Sequence, residues 1–202
     1  PAADARPTVA EDLGLDELVA ANRAMRQAML QAVQVVAALR SEEAEQQDEG
    51  LTLLLETLGV SFGDDAKVLC QLLRDSGVVP PLASLLADAD PVLRTKALLV
   101  LGNICSDAVD ADSAYTKEAL LQEGADRPLF ACLDSTDEAT VALTCAALQN
   151  LCHDLRWAQK AITLGAVPRI EQLATDSNAD VARYAAGTLR NMKVRLDEVK
   201  AS

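Results

Sequence analysis

The sequence predicts an all-α fold, a right-handed α-solenoid of about three full helical repeats behind an N-terminal helical cap. Three observations carry that expectation. Half of the 202 residues are apolar, but only 2% are aromatic and seven are proline. Such a composition suits stacked helices better than a sandwich or barrel, which draws on β-branched and aromatic residues. Three glycines, Gly77, Gly124 and Gly165, are each followed 26 residues on by an asparagine: Asn103, Asn150 and Asn191. Between those anchors the residues agree in kind, step by step, and a fixed internal period is the signature of a repeat array.

Each agreement has a physical reason. The glycines follow short helical stretches (LCQLLRDSG, KEALLQEG and QKAITLG), and glycine tolerates the left-handed backbone that ends a helix and turns the chain. Three to four residues later come Pro80 and Pro81, then Pro128, then Pro168. Proline opens a helix without leaving an amide hydrogen unpaired. Leu82, Leu129 and Ile170 follow at the fifth step, and Asp90, Asp137 and Asn178 at the thirteenth. Asp and Asn are good N-caps, so a third helix is expected to begin there, with Pro91 at the favoured first position. That helix carries apolar residues at helical spacing, as in Leu93, Ala97, Val100, Leu101 and Ile104. Leu101, Leu148 and Leu189 stand at the twenty-fourth step.

The remaining elements follow in order. Residues 1–7 are expected to form a flexible tail. Residues 8–62 form a cap or degenerate leading repeat. Thr8 and Glu11 make a capping box, opening a long amphipathic helix with Leu18, Met25, Met29, Val33 and Val36 on one side. The acidic connection 41–50 leads to LTLLLETL (51–58), which matches a third helix although no asparagine precedes Gly63. Repeats are then expected over 64–107, 113–154 and 155–202, the last including the C-terminal end. Six extra residues between Asn103 and Gly124 swell the loop 106–113.

The layout and about 41 residues per unit resemble the armadillo family, above all in GVVPPLASLLADADPVLRTKALLVLGNICSD and GAVPRIEQLATDSNADVARYAAGTLRNM. HEAT repeats are the near competitor, and the glycine–proline entry with the third-helix asparagine favours armadillo. The resemblance implies that the third helices line a concave surface that receives a partner. It also implies that Asn103, Asn150 and Asn191 hold the backbone of an extended peptide. A carboxamide both donates and accepts, which suits that role, although such an asparagine also serves as a cap or as a bond to an adjacent repeat. By the same register Lys96, Leu143 and Tyr184 neighbour them in the groove. Where the importin-α subgroup places tryptophan to sandwich lysine stems, this chain has Leu99, Ala146 and Gly187. That departure disfavours a nuclear-localisation-signal receptor. The expected partner-binding set is therefore Asn103, Asn150, Asn191, Lys96, Leu99, Leu143 and Tyr184.

Charge and motifs narrow the function. A net charge of −13 repels phosphate backbones and anionic lipid, so a protein or peptide partner is expected and nucleic acid is not. No apolar run approaches bilayer-spanning length. The five cysteines (Cys70, Cys105, Cys132, Cys145, Cys152) lack paired spacing and read as buried hydrophobes in a reducing compartment. That points to a cytoplasmic or nuclear protein, with a cleaved targeting peptide left open by the start at Pro1. With His153 the single histidine, no zinc site is expected. Gly59-Val60-Ser61-Phe62-Gly63 fits the G-x-S-x-G elbow, which needs a buried strand before the serine. A leucine-rich helix precedes it, so the glycines are expected to redirect helices, with Asp64 capping the next one. Asp107, Asp110 and Asp112 lack the glycine and final glutamate of a calcium loop and read as a solvated loop. His153 and Trp157 are expected to pack or cap at a repeat junction. No enzyme and no cofactor follow from these motifs. A binding adaptor or scaffold is favoured, beside a structural subunit of a large assembly and a regulatory exchange-factor or co-chaperone-like role.

Overall fold

Glycine corners and acidic caps set the path of the chain. In the computed structural model, which describes residues 9–200, the helices are α1 (Val9–Leu39), α2 (Ala44–Val60), α3 (Asp64–Asp75), α4 (Val79–Leu85), α5 (Pro91–Ile104) and α6 (Ser113–Gln122). They continue with α7 (Asp126–Ala131) and its short 3-10 extension, α8 (Glu138–Leu151), α9 (Leu155–Thr163), α10 (Val167–Leu173) and α11 (Ala179–Lys200). No strand occurs among the described residues.

The three corners share one construction. Gly77, Gly124 and Gly165 have φ of 79°, 72° and 71°, in the left-handed region that glycine enters without a Cβ penalty. The amides of Val78, Ala125 and Ala166 donate back to the carbonyls of Leu73, Leu120 and Ala161 at 3.1, 3.0 and 2.9 Å. This is the Schellman closure of a helix end, made three times by the same residue pattern. The third helices start alike. The Asp90 carboxylate accepts from the Val92 amide at 2.8 Å, Asp137 from Thr140 at 2.8 Å and Asn178 from Asp180 at 2.9 Å. Two residues upstream, Asp88, Ser135 and Asp176 accept from the amide of the capping residue itself.

Three triplets of helices result: α3–α4–α5, α6–α7–α8 and α9–α10–α11. The third helices pack in sequence, α2 on α5, α5 on α8 and α8 on α11. Helix α1 replaces the first two helices of the leading unit, lying against α2, α3 and α4. Gly50 lets α1 come close, since a Cβ there would sit 2.9 Å from that of Ala38. The continuous core holds Leu39, Leu51, Leu54, Leu73, Leu82, Leu98, Leu101, Leu148 and Leu151, all essentially without solvent.

All five cysteines are buried and free. Burial pushes the thiols up, Cys70 to about 11 and Cys105, Cys145 and Cys152 to about 12. They stay protonated at neutral pH and act as small core residues.

Several expectations change. The loop 106–113 is solvated at Asp107, Ala108 and Ala111 but anchored at Asp110, which is fully buried and paired with Arg74, and Arg74 also donates to Thr116 at 3.2 Å. Beside it Lys117, 3% exposed, and Ser113 both donate to Asp107 at 2.5 Å. Burial raises the Asp107 carboxyl, but those two hydrogen bonds outweigh it and hold the group below the usual carboxylate range. Trp157 is buried, with its indole N–H on the Lys117 carbonyl at 3.0 Å, whereas His153 is exposed. Gly59 lies within α2 and does not end it; Gly63, at φ 56°, is the N-cap of α3, and Asp64 makes no side-chain cap bond. On α1 the core face is Ala32, Val35, Val36 and Leu39, while Met25, Met29 and Val33 are exposed. Thr8 lies outside the described residues.

The Arg74–Asp110 pair gives a direct stability test. Arg74→Met strands a buried carboxylate, so a loss of about 3–5 kcal/mol is expected in urea unfolding. Arg74→Met with Asp110→Leu should recover most of it.

Candidate protein-binding groove

Helical periodicity decides which third-helix residues share a face. On α5 the positions are Val92, Lys96, Leu99 and Asn103, on α8 Ala139, Leu143, Ala146 and Asn150, and on α11 Asp180, Tyr184, Gly187 and Asn191. Identical corners and caps start each helix at the same phase, so the four positions recur in three neighbouring helices. Val92, Ala139 and Asp180 are exposed at one edge, Leu99 is 42% exposed in the middle, and Lys96, Leu143, Ala146 and Tyr184 are half-buried. The face is small and apolar at its centre.

The asparagines stitch the helices together. Asn150 Nδ2 donates to the Gly102 carbonyl at 2.8 Å and Asn191 Nδ2 to the Gln149 carbonyl at 2.8 Å. Each acceptor is the residue just before the preceding asparagine, so the two bonds are equivalent. Asn103 has no asparagine helix before it and donates to Leu99 of its own helix at 2.8 Å. Asn103 and Asn150 are half-buried, and Asn191 is only 9% exposed. No hydrogen bond to their Oδ1 atoms occurs among the described residues.

The other expected contacts are partly engaged. Lys96 Nζ reaches back to α2, bonding Asp48 at 2.5 Å and Thr52 at 2.8 Å, which neutralises its charge in the groove. The Arg183 guanidinium lies 4.3 Å over the Tyr184 ring. Gly187 is backed by Gln149, whose Oε1 would stand 2.3 Å from an added Cβ. A larger residue there would have to displace the Gln149 amide, the movable end of a flexible side chain. Sequence reasoning missed Asp48, Thr52 and Gln149, because they reach the face from the preceding helix. Among the described residues no cluster of three or more His, Cys, Asp or Glu could hold a metal. No described helix is long and apolar enough to cross a membrane. Ser61, the elbow serine, donates its hydroxyl to the Thr57 carbonyl at 2.7 Å.

The comparisons with known proteins agree with this geometry. A sequence model of the Armadillo/beta-catenin-like repeat matches residues 68–106, the segment from within α3 to two residues past α5. Among solved structures, an engineered protein from the Northeast Structural Genomics Consortium superposes with a TM-score of 0.70 at 23% identity. The match covers 81% of this chain and 63% of that one. The chain is an armadillo-type solenoid. A designed armadillo repeat protein matches at TM-score 0.67 and 23% identity, covering 79% of this chain and 63% of its own. Another, solved in complex with the peptide (KR)4, matches at TM-score 0.67 and 22% identity, over 89% of this chain and 81% of its own. The chain thus spans less than two thirds of the length of the first two solenoids. No curated protein matches the chain.

In this solenoid Asn150 and Asn191 tie neighbouring repeats together and Asn103 does not, so substitution of the asparagines is expected to be graded. Asn150→Ala and Asn191→Ala each lose one inter-helix hydrogen bond, worth about 0.5–1.5 kcal/mol. Asn103→Ala loses only a bond within its own helix. Thermal melts should rank the variants with Asn103→Ala nearest wild type.

Proposed function

We propose that the chain is a protein-interaction module, an adaptor or scaffold, which holds a partner segment along the face formed by α5, α8 and α11. One observation carries the reading: equivalent register positions of three successive third helices share one side, with Val92, Leu99, Ala139 and Asp180 exposed along it. A solenoid presents its extended binding surface in this way. The peptide-bound designed solenoid, similar in fold, supports a polypeptide ligand. The partner-binding set is Asn103, Asn150, Asn191, Lys96, Leu99, Leu143 and Tyr184. Leu99, Leu143 and Tyr184 supply apolar contact, and the asparagine Oδ1 atoms accept from partner backbone amides. With Lys96 already paired and no tryptophan at Leu99, Ala146 or Gly187, a run of lysines finds little to grip. The reading favours a segment with apolar side chains, in a pairing that persists in solution or within a larger assembly.

The test places a photoreactive residue at Leu99 or Ala146, with Ile162 of α9 as an exposed position on another face. Cross-linked partners should come from the first two sites. The pair Leu99→Glu and Ala146→Glu should weaken binding of that partner more than tenfold, or about 1.4 kcal/mol, with an unchanged melt. Cross-linking through Ile162 alone, with binding indifferent to the glutamates, would overturn the reading.

A further inference from the structure

The charge along the groove changes sign from one end of the array to the other. Between Arg40 and Lys67 every charged residue is acidic, and between Asp180 and Asp197 every one is basic. Those stretches hold α2 and most of α11, the two ends of the layer in which α2, α5, α8 and α11 pack in sequence. Lys96, a groove position on α5, shows which side of α2 faces the groove, because its Nζ bonds Asp48 and Thr52. Glu45, Glu49 and Glu56 stand three or four residues from that pair and so share its face. All three are exposed, and none makes an ion pair among the described residues. On α11, Arg183 and Arg190 stand four residues before and three after the groove position Gly187, and both are exposed. Arg190 makes no ion pair among the described residues. Arg183 pairs with Asp180, but the two side chains are 62% and 68% exposed, and such a contact is weak enough to exchange for another carboxylate. Arg195 lies on the opposite flank, donating to the His153 carbonyl just past α8 at 2.6 Å. Between the two ends the face is neutral. Residues 139–152 carry no charge, Lys96 is offset by Asp48, and Arg94 is turned to the Asp88 carbonyl at 2.7 Å.

With the α5–α8–α11 face as the partner's seat, a reading on which this inference rests, we propose that the partner segment is extended and bipolar. Its basic side chains lie over α2, its apolar ones across the middle, and its acidic ones over α11. The open asparagine Oδ1 atoms select the extended form. They accept only from amides not already engaged, which an extended chain has and a helix interior lacks. Packed helices stand about 8–10 Å apart, so three steps set α2 and α11 roughly 24–30 Å from one another. An extended chain advances about 3.3 Å per residue, so about seven to nine residues separate the two charged ends. The Debye length at physiological salt is about 8 Å, so the acidic and basic ends do not cancel and a partner meets each separately. A segment of one sign is attracted at one end and repelled at the other, whereas a bipolar one is attracted at both. Leu99 and Leu143 lie between, where the segment has its apolar residues. Charge thus sets which end of the segment lies on which end of the array.

A phage-displayed library of random peptides of about twelve residues, long enough for that span, selected on the 202-residue chain, tests the proposal. Enriched peptides are expected to carry Lys or Arg at one end and Asp or Glu at the other. Selection on the variant Glu45→Gln, Glu49→Gln, Glu56→Gln should lose the basic end alone. Selection on Arg183→Gln with Arg190→Gln should lose the acidic end alone. A synthetic peptide of the enriched sequence, followed by fluorescence anisotropy, should bind each variant roughly fivefold more weakly, the scale of exposed ion pairs, with the melts unchanged. No enrichment, charges of one sign at both ends, or end charges that persist on the neutralised variants would overturn the proposal. Selection on Leu99→Glu with Ala146→Glu separates the two readings. Enrichment lost there, but never segregated in charge, overturns the bipolar partner alone, whereas enrichment that persists there overturns the groove as its seat as well.

Discussion

The groove exists because successive third helices are fixed in phase, and the fastening is a small set of bonds between backbone and side chain. Asn150 and Asn191 each bond the carbonyl of the neighbouring third helix, and the Thr188 hydroxyl reaches the Cys145 carbonyl at 3.3 Å within the same layer. Apolar burial drives these helices together but does not choose a phase, because it is non-directional. Directional bonds to backbone carbonyls do. With the phase set, Leu99 on α5 and Ala146 on α8 occupy equivalent places, and a face assembled from three helices behaves as one surface. The asparagines therefore serve the array first. Whatever they offer a partner comes from the oxygen that the stitching leaves unused.

The insertion between the first and second triplets shows how the array tolerates irregularity. Asp107, Ala108 and Ala111 stay exposed, but the loop is tied down from beneath. The Asp110 carboxylate is drawn into the interior by Arg74 from α3, while Lys117 from α6 holds Asp107, and Trp157 from α9 rests on the Lys117 carbonyl. Three first helices are thereby linked on the side away from the groove. A buried charge is acceptable only when paired and hydrogen-bonded, and both conditions are met here. The insertion shifts the repeat length without shifting the phase of α8 against α5.

Much of the fold was legible because the informative residues act locally. A glycine at positive φ, a proline in the first turn and an aspartate cap each do their work within a few residues of backbone, so fixed spacing exposes them. Leu99, Leu143 and Tyr184 were legible for the same reason, as register positions on helices whose starts were marked. What escaped notice acts at a distance. Lys96 reads as a groove contact, and its pairing with Asp48 and Thr52 across the helix boundary is not visible in the sequence. The Asp107, Asp110 and Asp112 run reads as solvated until Arg74 is placed beside it. The asparagine register predicted equivalent positions but not that their amides would be taken up by the neighbouring helix. Met25, Met29 and Val36 belong to one helical stripe, and of the three only Val36 is covered.

Hydrogen exchange on the chain with and without its cross-linked partner tests the central claim most directly. The account predicts added protection confined to 91–104, 138–151 and 179–194, with α3, α6 and α9 unchanged. Protection of those first helices, with the third helices left as they were, would contradict it.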